Sequence, residues 1–188
     1  AYLLHIPIVL HEANRKPGRS VRSMRKLATR IYLPDGIRLR GINPSRIKYY
    51  GYPVREEMFR SGMEESRQAL GFNITGKLLV IMGGSQGASI FNKWVVDNFD
   101  NLSAEGINIF CISGPIHGTD GVIDGISLNG TRVQAVFTSF TDQIPEVLSS
   151  ADLVISRAGA GTIAEIIRCR TPSILIPYPF AADNHQLS

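Results

Sequence analysis

Short apolar runs recur along the chain, each bounded by glycine, proline or polar residues. Runs that are apolar at nearly every position are typical of strands buried on both faces. The stretches between them place apolar residues three and four positions apart, as on one face of a helix. The expected strands are Ile6–Leu10, Leu78–Met82, Ile107–Ile112, Val133–Phe137, Leu153–Ser156 and Ile174–Pro177, and the expected helices are Ala88–Phe99, Gln143–Ser150 and Thr162–Cys169. Strands alternating with helices predict an α/β fold with a parallel, doubly wound sheet.

The first fifty residues have a different pattern. Ser20–Tyr32 predicts a basic amphipathic helix, and Arg38–Tyr50 predicts a short strand followed by a turn. Pro53 stiffens the chain, and the residues of Arg55–Leu70 are polar and helical in pattern. We therefore expect two units, with residues 1–50 in the first, 51–55 as a linker and 56–188 in the second.

Composition is that of an ordinary globular protein, because 44% of the 188 residues are hydrophobic and 19% are charged. The net charge of +4 suits a phosphate-bearing ligand or an anionic membrane surface. Nucleic acid is not an expected partner, since the basic residues between Arg15 and Arg30 have no interleaved aromatics. Cys111 and Cys169 lie far apart without a CxxC or Cys/His cluster, so we expect no disulfide, no metal site and a reducing compartment.

Both ends of the sequence suggest a piece of a longer protein. The chain starts at Ala1 rather than at methionine, and it stops at Ser188, where residues 183–187 have the pattern of a beginning helix. The longest apolar stretch, Tyr2–Leu10, is interrupted by His5 and Pro7 and is about half as long as a bilayer span requires. We therefore expect no transmembrane helix and no signal peptide.

A glycine-rich segment, Gly83-Gly-Ser-Gln-Gly87, stands between an expected strand and an expected helix. Backbone N–H groups in such a turn point at a bound phosphate. The same residues match the G-x-S-x-G elbow of α/β-hydrolases, with Ser85 as nucleophile and His117 or His185 as base. A tight turn without any function remains a third interpretation.

A second glycine cluster lies in Arg157-Ala-Gly-Ala-Gly-Thr-Ile-Ala-Glu165, again after a strand and before a helix. Two helix N-termini at one sheet edge could bind a diphosphate. Thr162 and Glu165 also fit a capping box, with Thr162 as N-cap and Glu165 at the third helical position. Glu165 is therefore expected to cap the helix, to accept hydrogen bonds from a sugar, or both.

Polar residues follow two other expected strands. His11-Glu-Ala-Asn14 ends the first strand, where residues of parallel sheets line the ligand crevice. Pro177-Tyr-Pro-Phe-Ala-Ala-Asp-Asn-His-Gln186 follows the last strand and supplies polar groups that could contact sugar hydroxyls. Either segment could equally be structural.

Six motifs together resemble the MurG-type glycosyltransferases of family 28. In order they are His11–Asn14, Gly51–Arg55, Gly83–Ala88, Phe140–Asp142, Ser156–Glu165 and Ala182–Gln186. The resemblance implies a GT-B fold of two Rossmann-like domains facing each other across a cleft. Residues 1–50 would be the end of the acceptor-binding domain, and residues 56–188 would be most of the domain that binds the UDP-sugar donor.

The resemblance also implies roles for individual residues. Ser85 would contact the diphosphate, Ala160, Gly161 and Thr162 would form the phosphate-facing helix start, and Glu165 would bind the ribose diol. Thr141 would contact the uracil through its backbone, and His185 and Gln186 would contact N-acetylglucosamine. Arg55 would lie at the donor site near the hinge, and Asn14 would be a sugar-side residue of the acceptor domain.

The chain departs from the family pattern in two places. Tyr52 stands where the family often has Asn, and the N-terminal glycine-rich loops, one with the histidine suggested as base, are absent. The general base and the other catalytic residues are therefore unassigned.

The implied activity is an inverting transfer of N-acetylglucosamine from UDP to undecaprenyl-diphospho-N-acetylmuramoyl-pentapeptide, with no metal and no cofactor. The implied location is the inner face of the bacterial plasma membrane, with an anionic membrane surface contacted through the missing domain. The alternatives are an α/β serine hydrolase using Ser85 and a nucleotide-sugar-binding module without catalytic activity.

Overall fold

A computed structural model describes residues 1–72, 76–83, 89–114 and 120–178. Two compact units emerge from their contacts: Ala1–Pro53 with Pro177 and Tyr178, and Val54–Ile176. No helix among the described residues is long and apolar enough to cross a membrane. Cys111 and Cys169 are both buried free thiols.

The first unit contains a small parallel sheet of three strands in the order β1-β2-β3. Its elements are β1 (Val9–His11), α1 (Arg19–Met24), β2 (Arg30–Leu33) and β3 (Ile47–Tyr49). The expected helix over Ser20–Tyr32 is wrong in its second half, because the chain leaves the helix after Met24 and enters β2. Ile31 and Leu33 in β2 are fully buried in the core of this unit, so tertiary packing overrides the local helical pattern.

The second unit is a six-stranded sheet with helices on both faces, in the strand order β6-β7-β5-β4-β8-β9. In chain order its elements are α2 (Met63–Ala69), β4 (Lys77–Met82), α3 (Ser89–Ala104), β5 (Ile107–Ile112), β6 (Gly121–Ile126), β7 (Arg132–Thr138), α4 (Ile144–Ser150), β8 (Leu153–Arg157), α5 (Ala160–Cys169) and β9 (Ser173–Ile176). The predicted α/β doubly wound fold is confirmed. The helix expected over Arg55–Leu70 is shorter than predicted and is limited to α2.

The central strand β4 shows why near-continuous apolarity was informative. Leu78, Val80 and Met82 face a core formed with α4 and α5, while Leu79 and Ile81 face a second core formed with α3. Successive side chains of a strand point to opposite faces, so a strand covered on both sides needs apolar residues at every position. The edge strand β9 does not follow this rule, because all four of its residues are exposed.

The sheet is not entirely parallel, which corrects the sequence-based prediction. β6 pairs antiparallel with β7 and occupies one edge of the sheet. Its Gly125 lies against α3, where an added Cβ would come within 2.9 Å of the Ser103 Cβ and 3.1 Å of a Phe99 ring carbon. Glycine thus allows the edge strand to approach the helix closely.

A partly buried charge cluster holds α2 to the start of the sheet. Asp152 accepts hydrogen bonds from Arg67 Nη2 and from the backbone N–H of Leu78, both at 2.8 Å. Arg67 Nε also donates to the Ser150 carbonyl at 3.1 Å. These bonds fix the amino edge of the sheet and leave the carboxyl edge available for ligands.

Candidate functional site

The strand order creates a ligand crevice at the carboxyl edge of the second unit's sheet. From β4 the chain moves to β5 and β7 on one side and later returns to β8 on the other side. Such a reversal is where open α/β sheets bind ligands. Both strands at the reversal lead into glycine-rich segments, and Met82 of β4 pairs with Ser156 of β8 just before them. Ser85 and the rest of residues 84–88 lie outside the described residues.

Helix α5 begins at this edge with partly buried residues whose backbone N–H groups have no acceptor within the helix. Its N-cap is Gly159 in an extended conformation, and no side chain caps the helix. Ala160, Gly161 and Thr162 are the first three helical residues, and the first intrahelical bond runs from Ile163 N to the Gly159 carbonyl at 2.9 Å. The orphan N–H groups of such a turn, together with the helix dipole, favour an anion.

The predicted capping box is wrong, because the N-cap of α5 is Gly159, three residues before Thr162. Thr162 is the third helical residue rather than the N-cap, and Glu165 is the sixth rather than the third. A side chain at the sixth position is a full turn beyond the helix start and has no access to the N-cap backbone. Capping therefore does not explain Glu165.

The carboxylate of Glu165 is half-buried on α5, one turn beyond the backbone N–H groups at the start of the helix. Desolvation by burial raises its pKa above the usual 4.5, and the positive charge of Arg55 opposes that rise. Among the described residues, no group donates a hydrogen bond to this carboxylate. The structure thus brings together Arg55, Glu165 and the start of α5, which sequence reasoning had assigned to one site.

Thr141 lies in the loop between β7 and α4. Its Oγ1 accepts a hydrogen bond from the backbone N–H of Gln143 at 3.1 Å, and Thr138 Oγ1 donates to the Phe140 carbonyl at 2.9 Å. The Thr141 hydroxyl thus already helps to shape its own loop. β7 and β8 are separated by two strands, so this loop lies about 14 Å from the start of α5 along the edge.

The sequence analysis missed Ser113, which links the ends of β5 and β7 by hydrogen bonds at the same edge of the sheet. Its backbone N–H and its Oγ both donate to the Thr138 carbonyl, at 2.8 and 3.0 Å. Asn92 of α3 donates to the Ser113 carbonyl at 3.1 Å. A serine directly after a strand was the available signal, but the same pattern occurs in many turns.

Asn14 belongs to the first unit, where a buried carboxylate that the sequence analysis had not singled out fixes its position. Glu12 accepts hydrogen bonds from Asn14 N at 2.9 Å, from Asn14 Nδ2 at 3.1 Å and from Gly18 N at 2.6 Å. Glu12 is only 4% exposed. The loop after β1 is therefore organised around Glu12, and none of the described residues bonds to the amide oxygen of Asn14.

Three other predicted residues cannot be placed. His185 and Gln186, as well as His117, which was considered as a hydrolase base, lie outside the described residues.

Comparison with known proteins gives consistent results. Residues 78–188 match the glycosyltransferase family 28 C-terminal domain. The UDP-N-acetylglucosamine–N-acetylmuramyl-(pentapeptide) pyrophosphoryl-undecaprenol N-acetylglucosamine transferase of Opitutus terrae is 48% identical over 181 residues, which are 96% of this chain and 48% of that protein. The enzyme of the same name from Lawsonia intracellularis is 36% identical, with 99% of this chain and 50% of that protein covered.

Solved structures agree on the fold. The crystal structure of Acinetobacter baumannii MurG superimposes with a TM-score of 0.63 at 22% identity, covering 98% of this chain and 50% of that chain. Anabaena HepE, solved in complex with UDP and glucose, gives a TM-score of 0.52 at 13% identity, covering 93% and 54%. The chain spans about half the length of the curated relatives it matches. With a matched domain that covers more than half of its residues, this chain belongs to glycosyltransferase family 28.

Proposed function

We propose that this chain is the donor-binding part of an enzyme that transfers N-acetylglucosamine from UDP to the lipid-linked acceptor undecaprenyl-diphospho-N-acetylmuramoyl-pentapeptide. The observation that carries the proposal is the arrangement on α5. An uncapped helix start faces the crevice at the strand reversal. A half-buried Glu165, which accepts no hydrogen bond from any described residue, follows one turn later with the charge of Arg55 nearby. The names of the relatives support the choice of sugar and acceptor.

The start of α5 is suited to the diphosphate of UDP. Ala160, Gly161 and Thr162 present backbone donors, and each helix end contributes roughly 0.3–1 kcal/mol to binding an anion, or more where partly buried. Gly83 directly follows β4, the strand next to β8, and the glycine-rich residues after it, including Ser85, would add donors to the same phosphates.

Glu165 is suited to the ribose. A carboxylate that accepts no hydrogen bond from any residue the structure describes can accept both hydroxyls of a ribose diol, since it has two oxygens and only acceptor capacity. The positive charge of Arg55 stabilises the negative charge of Glu165. Arg55 would itself contact the donor. Thr141 would bind the uracil by its backbone, and His185 and Gln186 would bind N-acetylglucosamine.

The domain assignment is part of the proposal. Residues 1–50 would be the end of the acceptor domain, with Asn14 as a sugar-side residue, 51–55 the linker and 56–188 the donor domain. The division of the contacts after Pro53 supports a boundary within the proposed linker. The enzyme would act at the cytoplasmic face of the plasma membrane, with an anionic membrane contact made by the other domain.

The proposed reaction inverts the anomeric configuration. The 4-hydroxyl of the acceptor attacks the anomeric carbon on the face opposite UDP, the bond from this carbon to the β-phosphate oxygen breaks, and the hydroxyl proton passes to a base. The negative charge that develops on UDP is stabilised by the helix dipole and the backbone donors at the start of α5. The general base is unassigned, and we do not assign His11 as the base.

The family assignment favours this transfer over the serine hydrolase alternative. A fluorophosphonate probe separates the two chemically, because a hydrolase would be labelled at Ser85 and a nucleotide-binding loop would remain unlabelled.

Calorimetric titration tests donor binding directly. We expect UDP-N-acetylglucosamine to bind most tightly, UDP-glucose more weakly and ADP at least about tenfold more weakly than the first, which corresponds to about 1.4 kcal/mol. Equal affinity for ADP and the two UDP-sugars would contradict the assignment of the uracil and sugar contacts.

A further inference from the structure

A basic cleft lies in the second unit at the end of α5. It has a volume of about 610 Å³ and is lined by Phe59, Arg60, Ser61, Gly62, Arg168 and Arg170. The first four residues precede α2, and the two remaining arginines come from the last turn and the C-cap of α5. No carboxylate is among the residues that line it.

Two of the three guanidinium groups are held in place by backbone carbonyls. Arg60 Nη1 donates to the Arg170 carbonyl and Arg168 Nε donates to the Met58 carbonyl, both at 3.1 Å. A guanidinium has five N–H donors, so each of the two retains donors for another acceptor. In the described part of the chain, none of the three arginines forms an ion pair with a carboxylate. Two carboxylates lie close by: the Glu65 side chain lies against Gly62, and the charge of Glu146 acts on Cys169 together with those of Arg60 and Arg168. Three guanidinium groups against these two carboxylates leave the cleft positive.

Arg170 occupies a backbone conformation that favours glycine. Its φ of 55° places it in the left-handed region at the C-cap of α5, where its N–H donates to the carbonyls of Ile166 and Ile167. Glycine is the usual residue at such helix ends, because a Cβ is unfavourable in this conformation. A strained position that carries a long cationic side chain indicates that the side chain has a role.

The cleft and the proposed nucleotide crevice are at opposite ends of the same helix. α5 has ten residues and is therefore about 15 Å long. The C-terminal dipole of α5 disfavours an anion here, unlike the dipole at its start. The three guanidinium groups, rather than the helix, must supply the attraction.

We propose that Arg60, Arg168 and Arg170 form a second anion site, which binds a phosphate group of a ligand other than the sugar donor. Guanidinium groups match phosphate oxygens in pairs of parallel hydrogen bonds, which an ammonium group does not. The exposed ring of Phe59 forms an apolar wall beside the charges. This site does not depend on the proposed transferase function.

The test uses inorganic phosphate and the whole ¹⁵N-labelled chain at constant ionic strength, so that general screening does not change. We expect saturable shifts of the amide resonances of Ser61, Gly62 and Arg170. The Arg170→Gly variant removes the charge and relieves the left-handed strain, so it should keep or raise the melting temperature while weakening phosphate binding at this site about tenfold. Arg38→Gly removes the same charge from an exposed position in the first unit and should leave the binding unchanged.

Vesicles distinguish free phosphate from a lipid headgroup as the source of the group. Sedimentation with phosphatidylcholine vesicles, with and without phosphatidylglycerol, supports a lipid source if only the anionic vesicles bind and Arg170→Gly abolishes their binding. Phosphate binding without vesicle binding supports a soluble ligand. The proposal is overturned if phosphate shifts no resonance near the cleft, or if Arg170→Gly and Arg38→Gly bind phosphate and vesicles like the original chain.

Discussion

Glu165 is the residue whose proposed role is most directly testable. The structure removes helix capping as an explanation and glutamine removes a half-buried charge, so Glu165→Gln should not lower the melting temperature. If the carboxylate accepts from the ribose, a hydrogen bond to a charged group worth roughly 1.5–3 kcal/mol is involved. We therefore expect the original chain to prefer UDP over 2′-deoxy-UDP by about tenfold in calorimetric titration, since ~1.4 kcal/mol changes affinity by that factor.

The variants should lose this preference. Glu165→Gln keeps the shape but lacks the charge and the second acceptor oxygen, and Glu165→Ala lacks the group altogether. Both should bind the two ligands with similar affinities. If both variants still preferred UDP over 2′-deoxy-UDP, Glu165 would not be the ribose contact, and the assignment of the whole donor pocket would be weakened.

The raised pKa of Glu165 also predicts a pH dependence of stability. Burial makes the folded chain bind this proton more tightly than the unfolded chain does. The resulting contribution to stability is fully present below the usual glutamate pKa and is lost as the pH rises through the raised value. We expect the free energy of unfolding of the original chain, relative to Glu165→Gln, to fall over this range in urea titrations. A difference between the two proteins that does not vary with pH would contradict the shift.

At this scale the sequence located candidate residues better than it explained them. The pattern around Glu165 suggested a cap because Thr162 and Glu165 have capping-box spacing, yet Gly159 takes the N-cap and the helix starts earlier. Glu12 and Ser113 were missed as organising groups because most of their hydrogen bonds are made with backbone groups. Gly18 and Asn14 bond Glu12, and no residue type identifies them in advance.

Among the elements, β6 depends on a glycine that allows it to pack closely on α3. Gly125→Ala would place a methyl group within 2.9 Å of the Ser103 Cβ, so strand or helix must shift. We expect a loss of about 1–3 kcal/mol in the free energy of unfolding, as for other overpacked sites. Gly121→Ala in the same strand is the control, because a Cβ there meets nothing within 4 Å.

Chemical denaturation of both glycine variants provides the measurement. Gly121→Ala should change the unfolding free energy by no more than about 0.5 kcal/mol, as is usual at the surface. Equal losses in both variants would indicate a general need for glycine in β6 rather than a specific contact with Ser103 and Phe99.

Buried elements were predictable, and elements fixed by pairing were not. The strand expected over Ile107–Ile112 is observed with those bounds, since both its faces are covered and all its residues except Asn108 are apolar. β6 was not predicted, because Gly121 and Gly125 weaken the strand pattern in its sequence. The strand forms through its antiparallel pairing with β7. β2 was assigned to a helix because its pairing with β1 and β3 is not visible in the local sequence.

For the whole molecule, we expect donor binding without transfer. The start of α5, Glu165 and Arg55 of the proposed donor site are present, whereas the family's glycine-rich loops and proposed base have no counterpart among these 188 residues. The chain should bind UDP in calorimetry yet show no release of UDP from UDP-N-acetylglucosamine in the presence of a lipid I analogue. Measurable transfer to this acceptor would show that the necessary base and acceptor contacts are present.

The overall architecture followed from alternation alone, because a doubly wound sheet imposes apolar strands and amphipathic helices in turn. The contacts of the described residues divide after Pro53, and the linker over residues 51–55 stays a prediction.

The two edge strands of the six-stranded sheet differ in how readily each would pair with a strand of another molecule. On β6, hydrogen bonds from Gln134 and Arg132 hold the pKa of Asp124 below its usual value, so a charge stays on that edge and discourages another strand from pairing. On β9, which forms the other edge in the described part of the chain, Ile174, Leu175 and Ile176 are 50%, 39% and 37% exposed. Uncharged apolar edges of this kind template aggregation. Concentrated solutions of this chain should therefore aggregate through β9 rather than through β6.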